Sequence, residues 1–207
     1  MNHVMIDLET FGTRSNSVVV SIGAVAFDPY SDSLLGASFH EAIDLKSAIG
    51  HGLKMDPSTV LWWLEQSQNA QMALVHKVKG ASSLATTLGA FRGFLQRVSP
   101  DVKVWGNGAD FDLALLQDAY ESIGSEKPWK YNASRCYRTL LAEFGRPEDK
   151  VAPELAHDAL ADAIAQAKTA QNIFARLRLR DPIAAREELQ AVSEIGLTAE
   201  SVGVSNT

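Results

Sequence analysis

The stretch Val4-Met5-Ile6-Asp7-Leu8-Glu9 decides how this chain is organised. Its apolar and partly β-branched residues predict a buried strand from Val4 to Leu8. Alternation along a strand sends Asp7 and Glu9 to one face, while Ile6 and Leu8 point into the core on the other. An acidic pair in an apolar strand is costly to bury unless it binds a cation. The alternative, equally open from this stretch alone, is that the strand ends at Asp7 and both acids are solvated.

Two further strands follow this first one. Residues Ser17 to Phe27 predict the second strand and Leu34 to Ala42 the third, with a turn by composition at Asp28-Pro29-Tyr30-Ser31-Asp32. Three strands with short connections predict an antiparallel meander. A fourth strand is predicted at Val102 to Trp105.

The remaining segments are mostly helical by pattern. Helices are predicted from Asp56-Pro57, at Ser82 to Leu95, at Phe111 to Ile123, at Leu160 to Leu179, and from Asp181-Pro182. Between them lie a polar linker at Ser125 to Ser134, a short strand or helix at Arg135 to Phe144, and a loop at Gly145 to Glu154. This order predicts an α/β fold, a mixed sheet with helices on both faces. We expect one domain over residues 1–180, followed by a C-terminal helix and flexible tail over 181–207.

Composition excludes several classes of protein. Of the 207 residues, 46% are hydrophobic and 21% charged, as in an ordinary globular domain, and no apolar run is long enough to cross a bilayer. We see no signal peptide, and the single Cys136 permits no internal disulfide, which fits a reducing cytoplasm. The net charge of −6 argues against a protein that coats nucleic acid through a broad basic face. It does not exclude a site whose carboxylates hold divalent cations, because bound ions would offset several negative charges.

Two more acids lie where the fourth strand turns into a helix. The turn at Asn107-Gly108 is followed by Asp110 and Asp112. An acid at the start of a helix is usually a cap or a partner of the helix dipole, and we favour that role for Asp110. For Asp112 the local sequence favours neither a structural nor a chemical role.

The pair His157 and Asp162 depends on where the last long helix begins. A helix turns about 100° per residue, so that two residues five apart within it do not share a face. The two side chains converge only if His157 precedes the helix and Asp162 lies in its first turn, with Asp158 as the N-cap. The alternative, and the commoner case for a lone histidine, is an exposed loop residue.

Taken together, these patterns resemble those of the DEDDh 3′–5′ exonucleases of the RNase H-like superfamily. Asp-x-Glu stands on the first strand, Asn-x-x-x-Phe-Asp follows a mid-chain strand, and His-x-x-x-x-Asp opens a late helix. The chain looks most like the small phage and prophage enzymes grouped with the exodeoxyribonuclease VIII-like and mycobacterial 3′–5′ exoribonuclease-like proteins. The similarity runs from about Val4 to Phe174 and includes Asp7–Thr13, Ser21–Val25, Trp62–Leu64, Trp105–Gly108 and Arg135–Thr139.

This resemblance implies an RNase H-like mixed five-stranded sheet and a two-metal phosphodiester hydrolase. The catalytic residues would be Asp7, Glu9, Asp112, His157 and Asp162. The four carboxylates would bind two ions, Mg²⁺ or Mn²⁺, which oxygen ligands suit. Asp7 would bind both ions, Glu9 and Asp162 the ion that activates water, and Asp112 the ion on the leaving-group side. His157 would be the general base, since an unperturbed histidine has a pKa of about 6.5.

The expected substrate is the 3′ end of single-stranded DNA or RNA, released as nucleoside 5′-monophosphates. Candidate substrate-binding residues are Thr10, Phe11, Gly12, Trp62, Asn107, Arg135 and Arg138. In relatives the segment at Thr10 to Gly12 supplies backbone contacts and an apolar wedge. Trp62 and Trp63 point about 100° apart on a helix, so one could stack on a base, although we favour both as core residues.

Several alternatives stay open at this stage. Arg135 and Arg138 are three residues apart, and we expect them to contact either phosphates of the substrate or acidic residues on the surface. Relatives of this size are often dimers, and the segment around Trp129 is a candidate interface of a homodimer. The rival functions are an RNase H-type endonuclease and an inactive nucleic-acid-binding module.

Overall fold

Five strands form one mixed sheet in the computed structural model, which describes residues 1–31, 35–108, 110–187 and 190. The strands are β1 (His3–Thr10), β2 (Val19–Phe27), β3 (Leu35–Ala42), β4 (Lys103–Gly106) and β5 (Ser134–Cys136). They lie in the order β3-β2-β1-β4-β5. The first three pair antiparallel, and β4 lies parallel to both β1 and β5. The predicted meander and mixed α/β sheet are therefore confirmed.

Seven helices lie between residues 45 and 176 of the described chain. They are α1 (Leu45–Gly50), α2 (Pro57–Leu64), α3 (Gln68–Val78), α4 (Leu84–Val98), α5 (Asp112–Ser122), α6 (Tyr137–Phe144) and α7 (Ala159–Arg176). The segment predicted as a strand or a helix contains both, β5 and then α6. The predicted loop after α6 contains a 3₁₀ turn, Pro147–Asp149. None of the helices in these described ranges has the length and apolar character needed to cross a membrane.

Two helices, α1 and α3, are not indicated by the sequence pattern. Helix α1 has only six residues, and α3 buries no residue at all, so neither has the apolar stripe that marks an amphipathic helix. At the other end of the chain, residues 182–187 are helical, as the sequence predicts. The tail predicted to be flexible from Thr198 onward lies outside the described residues.

Each face of the sheet packs against its own set of helices. On β1, Ile6 and Leu8 join the larger core with side chains of α4 and α5. Met5 points to the other face and packs with Trp105 and with alanines of α7. Helices therefore cover both faces, as expected, and the small alanine side chains let α7 lie close to the sheet.

Gly23 on β2 lets the beginning of α7 approach the sheet. It pairs with Asp7 of β1 in the antiparallel ladder. A Cβ atom at Gly23 would lie 2.1–2.2 Å from the backbone of Ala159 and Leu160. Only glycine leaves room for this contact, which sets the first turn of α7 over the acidic face of β1.

Trp129 is a core residue and not part of an exposed surface. Its side chain is buried, with its ring centre 6.3 Å from that of Tyr120. The Trp129 side chain is therefore not available to a partner, because the linker folds back onto the core, and an interface formed by the segment around it stays a prediction. Its neighbour Tyr131 is exposed.

Candidate active site

Three carboxylates meet between β1 and α7. Ligand oxygens of Asp7, Glu9 and Asp162 all lie within 4.8 Å of one another. Asp7 and Glu9 share one face of β1, and β1 continues past both of them to Thr10. The alternative in which the strand ends at Asp7 is therefore wrong. Strand alternation supplies two of the acids, and the first turn of α7 supplies the third.

Asp112, the first residue of α5, lies beside this group. Its side chain is only 1% exposed, and its Oδ2 accepts the backbone N–H of Asn107 at 2.5 Å. Gly106 leaves room for this approach, since a Cβ there would make a tight contact of 3.1 Å with Asp112 Oδ2. Asp110 is exposed, and the N-cap of α5 is Phe111 without a side-chain capping bond. Asp110 therefore does not cap α5, and its role as a partner of the helix dipole stays a prediction.

The four carboxyl groups have raised pKa values. Burial raises the pKa of Asp7 well above its usual value, and the charges of Asp112 and Glu9 raise it further. Burial, with a contribution from Asp162, raises the pKa of Glu9 to about 8. Burial likewise raises the pKa of Asp112 to about 6 and raises that of Asp162. Crowded, buried carboxylates of this kind resist ionisation unless a cation compensates their charge.

The geometric condition placed on His157 and Asp162 is met. Helix α7 begins between them, with Asp158 as N-cap accepting from the backbone N–H groups of residues 160 and 161. His157 adopts a φ of 63°, and its backbone N–H donates to Asp162 Oδ2 at 3.1 Å. Its exposed ring lies against Trp62, with 5.1 Å between ring centres.

Two residues that the sequence patterns do not indicate hold the start of α7. Lys77 of α3 forms an ion pair with Asp158 at 2.6 Å, and His40 of β3 lies 3.8 Å from the same carboxylate. The charge of Lys77 also lowers the pKa of Glu9, partly opposing the effect of burial. No local signal could reveal these contacts, because Lys77 and Asp158 are 81 residues apart.

Gln166 contacts the acidic group and is also absent from the sequence prediction. Its Nε2 donates to Asp7 Oδ1 at 2.7 Å. A signal for it exists in the sequence, because Gln166 follows Asp162 by four residues and so shares its helix face.

An apolar cavity of about 470 Å³ opens beside the acidic group. It is lined by Leu8, Glu9, Thr10, Thr13, Ser58, Thr59, Trp62, Trp63 and Phe111. Trp63 is 4% exposed and donates through Nε1 to the carbonyl of Thr10 at 3.0 Å. Trp62 is 41% exposed, so the favoured prediction that both rings are core is wrong for Trp62. The helical turn of about 100° between the two residues leaves only one of them facing inward.

The segment after the first motif supports this cavity mainly through its backbone. Phe11 is buried in the core, so it is not an exposed wedge, and Phe111 lines the cavity instead. Thr10 Oγ1 donates to the carbonyl of Gly12 at 2.8 Å. Gly12 packs against Ser17, where a Cβ atom would lie 2.3 Å from the hydroxyl.

The two candidate arginines lie in different places. Arg138 has its guanidinium next to Gly108, and its charge lowers the pKa of Asp112. Arg135 donates to the carbonyl groups of residues 132 and 134 and lines a separate cavity with His3. Within the described ranges neither arginine forms a salt bridge, so the alternative in which they pair with surface acids is not observed.

Comparison with known proteins gives the family. Residues 2–174 match the family described as the 3′–5′ exoribonuclease Rv2179c-like domain. The chain belongs to this family. The resemblance to the DEDDh exonucleases is thereby confirmed.

A curated relative and solved structures agree with this assignment. This chain is 28% identical to the exodeoxyribonuclease of Enterobacteria phage T4 over 128 residues, 58% of this chain and 56% of the relative. It therefore spans about half the length of that relative.

The nuclease domain of 3′hExo, a DEDDh family member bound to rAMP, superposes with a TM-score of 0.56 at 9% identity, over 84% of this chain and 92% of that one. Exonuclease X, in complex with 5′ overhanging duplex DNA, superposes with a TM-score of 0.54 at 14% identity, over 84% of this chain and 92% of that one. These likenesses confirm the RNase H-like fold.

Proposed function

We propose that this domain is a metal-dependent 3′–5′ exonuclease that releases nucleoside 5′-monophosphates from the 3′ end of single-stranded DNA or RNA. The observation that carries the proposal is the junction of the carboxylate group with the apolar cavity. Glu9 belongs to both, because it lies within the acidic group and lines the cavity. A terminal nucleoside in the cavity would have its phosphate next to the carboxylates.

The residues fit a pair of divalent cations, Mg²⁺ or Mn²⁺. All four carboxylates offer hard oxygen ligands, and burial raises the pKa of each, a cost of ionisation that bound cations would offset. Asp7, Glu9 and Asp162 would hold one ion, and Asp7 with Asp112 would hold the other. When bound, the ions supply charge that stabilises the attacking and leaving oxygens of an in-line displacement.

The remaining candidates have separate roles in this proposal. An imidazole nitrogen of His157 accepts the proton of the attacking water, since the ring is exposed next to the first turn of α7. The rings of Trp62 and Phe111, which line the cavity, stack on the terminal base. Arg138 contacts a phosphate, and Asn107 supports the site by holding Asp112 through its backbone N–H.

The setting of the enzyme is also a proposal. We expect a homodimer by analogy with relatives of this size. We expect it to work in the cytoplasm, because a single cysteine fits a reducing compartment.

The test compares single-stranded RNA and DNA of one sequence with Mg²⁺ or Mn²⁺, as linear molecules labelled at the 5′ end and as linear and circular molecules labelled internally. We expect stepwise shortening of the linear strands from the 3′ end, release of mononucleotides, and intact circles. Asp7→Ala and Asp162→Ala should abolish hydrolysis without unfolding the domain, whereas the exposed Asp110→Ala serves as the control with normal turnover. Cleavage of the circles would instead support the endonuclease, and binding without hydrolysis would support the inactive module.

A further inference from the structure

The contact between Gln166 and Asp7 joins α7 to the acidic group. Gln166 is 9% exposed, and its Nε2 donates to Asp7 Oδ1 at 2.7 Å. Its Oε1 is buried and has no hydrogen-bond partner among the residues that the structure describes. The amide therefore makes one bond, and that bond is directed at a carboxylate of the site.

The orientation of this amide follows from electrostatics. With Asp7 ionised, as a metal ligand must be, turning the amide over would place Oε1 against a carboxylate oxygen, and two acceptors repel each other. The donor end therefore stays on Asp7. A buried acceptor without a partner lowers the stability of the fold. An apolar side chain of similar length would serve better at position 166 if helix packing were its only purpose.

The backbone that carries Gln166 has little freedom to move. The first turn of α7 lies against Gly23 with no space for even one added carbon atom. Asp7 lies on the central strand of the sheet. Since both backbones are held, the mobile element of the contact is the carboxylate of Asp7, and the hydrogen bond restricts its rotation.

We propose that Gln166 is a positioning residue that holds the carboxylate of Asp7 in the orientation needed to bind the divalent cations. The inference rests on the proposed function, because it assigns Asp7 to the metal site. Partners that orient a metal ligand typically contribute 10- to 100-fold to metal affinity or activity. The effect belongs to the metal-binding step and not to the stability of the fold.

The test is Gln166→Met, which keeps the length of the side chain and removes the donor. Titration calorimetry with Mn²⁺ alone should show affinity about 10- to 100-fold weaker than wild type. The melting temperature of the metal-free variant should equal or exceed that of the wild type. Wild-type Mn²⁺ affinity, or a lowered melting temperature without metal, would overturn the inference.

Gln171→Met is the matched control on the same helix. Gln171 is also buried, but its Nε2 donates to the carbonyl of Asp28 at 2.9 Å, away from the carboxylates. This variant should bind Mn²⁺ like the wild type, and weakened binding in it would count against a specific role for Gln166. Failure of the proposed function would give a different result from failure of the Gln166 inference. The wild-type domain and Asp7→Ala would then bind Mn²⁺ equally poorly.

Discussion

Asp110 and Asp112 lie two residues apart and have opposite surroundings. Asp110 is exposed, whereas Asp112 is buried against Gly106 and receives backbone hydrogen bonds. The buried carboxylate of Asp112 repels the charge of Asp7 and so raises the pKa of Asp7. The charge of an exposed carboxylate is screened by water. Burial therefore distinguishes the candidate metal ligand from its neighbour, which local sequence could not do.

His157→Ala should slow the chemical step far more than it weakens substrate binding. Loss of a general base typically costs about 10²- to 10⁴-fold in rate. Single-turnover hydrolysis of an end-labelled oligonucleotide measures the step, and a binding titration in Ca²⁺ measures affinity. His76→Ala, an exposed histidine of α3, is the control with wild-type rates. A normal single-turnover rate in His157→Ala would refute the role of base.

At the scale of elements, the start of α7 brings the site together. It carries His157 before the helix and Asp162 in the first turn, and Asp158 caps it. Three contacts hold it from different parts of the chain: the close approach to Gly23, the ion pair to Lys77 and the contact between the rings of His157 and Trp62. A displacement of this helix end would therefore move two candidate catalytic residues together.

Gly23→Ala should separate α7 from β2 and reduce activity by at least about tenfold, because small displacements of catalytic groups are costly. Overpacking of this kind also destabilises by about 1–3 kcal/mol. Hydrolysis rate and thermal unfolding measure the two effects. Gly89→Ala on α4 is the control, because open space surrounds that position and alanine favours a helix by about 0.5–1 kcal/mol. Unchanged activity in Gly23→Ala would show that α7 can shift without harm.

For the whole molecule, the raised pKa values couple the charge of the site to folding. A carboxyl group whose pKa is raised in the folded state binds more protons there than in the unfolded chain. Its stabilising contribution is complete below the unfolded pKa, which is about 4. That contribution is lost as the pH rises through the folded pKa, which for Glu9 is about 8.

We therefore expect the metal-free domain to lose part of its stability between about pH 4 and pH 8. Mg²⁺ should raise the melting temperature more at pH 8 than at pH 5, because the ligands must be deprotonated to bind it. Glu9→Gln should reduce the difference between pH 5 and pH 8 in the metal-free state. The difference in pH dependence between the wild type and Glu9→Gln gives the contribution of Glu9, because the ion-paired Asp158 titrates in both proteins. The same pH dependence in wild type and variant would contradict the coupling.

Much of the fold and the acidic pair follows from local sequence. The alternation of β1 places Asp7 and Glu9 on one face, and the Asp158 cap determines where α7 begins, because both depend on the geometry of a few consecutive residues. The antiparallel meander of the first three strands and the RNase H-like class were also predictable, from the order of the elements and from family resemblance.

Only the tertiary structure decided the contacts between distant segments. It brought Lys77 to Asp158, set Gln166 on Asp7, exposed Trp62 while burying Trp63, and separated Arg138 from Arg135. The physical reason is that the backbone of a strand or helix sets the direction of each side chain, whereas the partners of that side chain depend on which surfaces pack together. The sequence by itself therefore determined which acids face the same way, and packing determined what surrounds them.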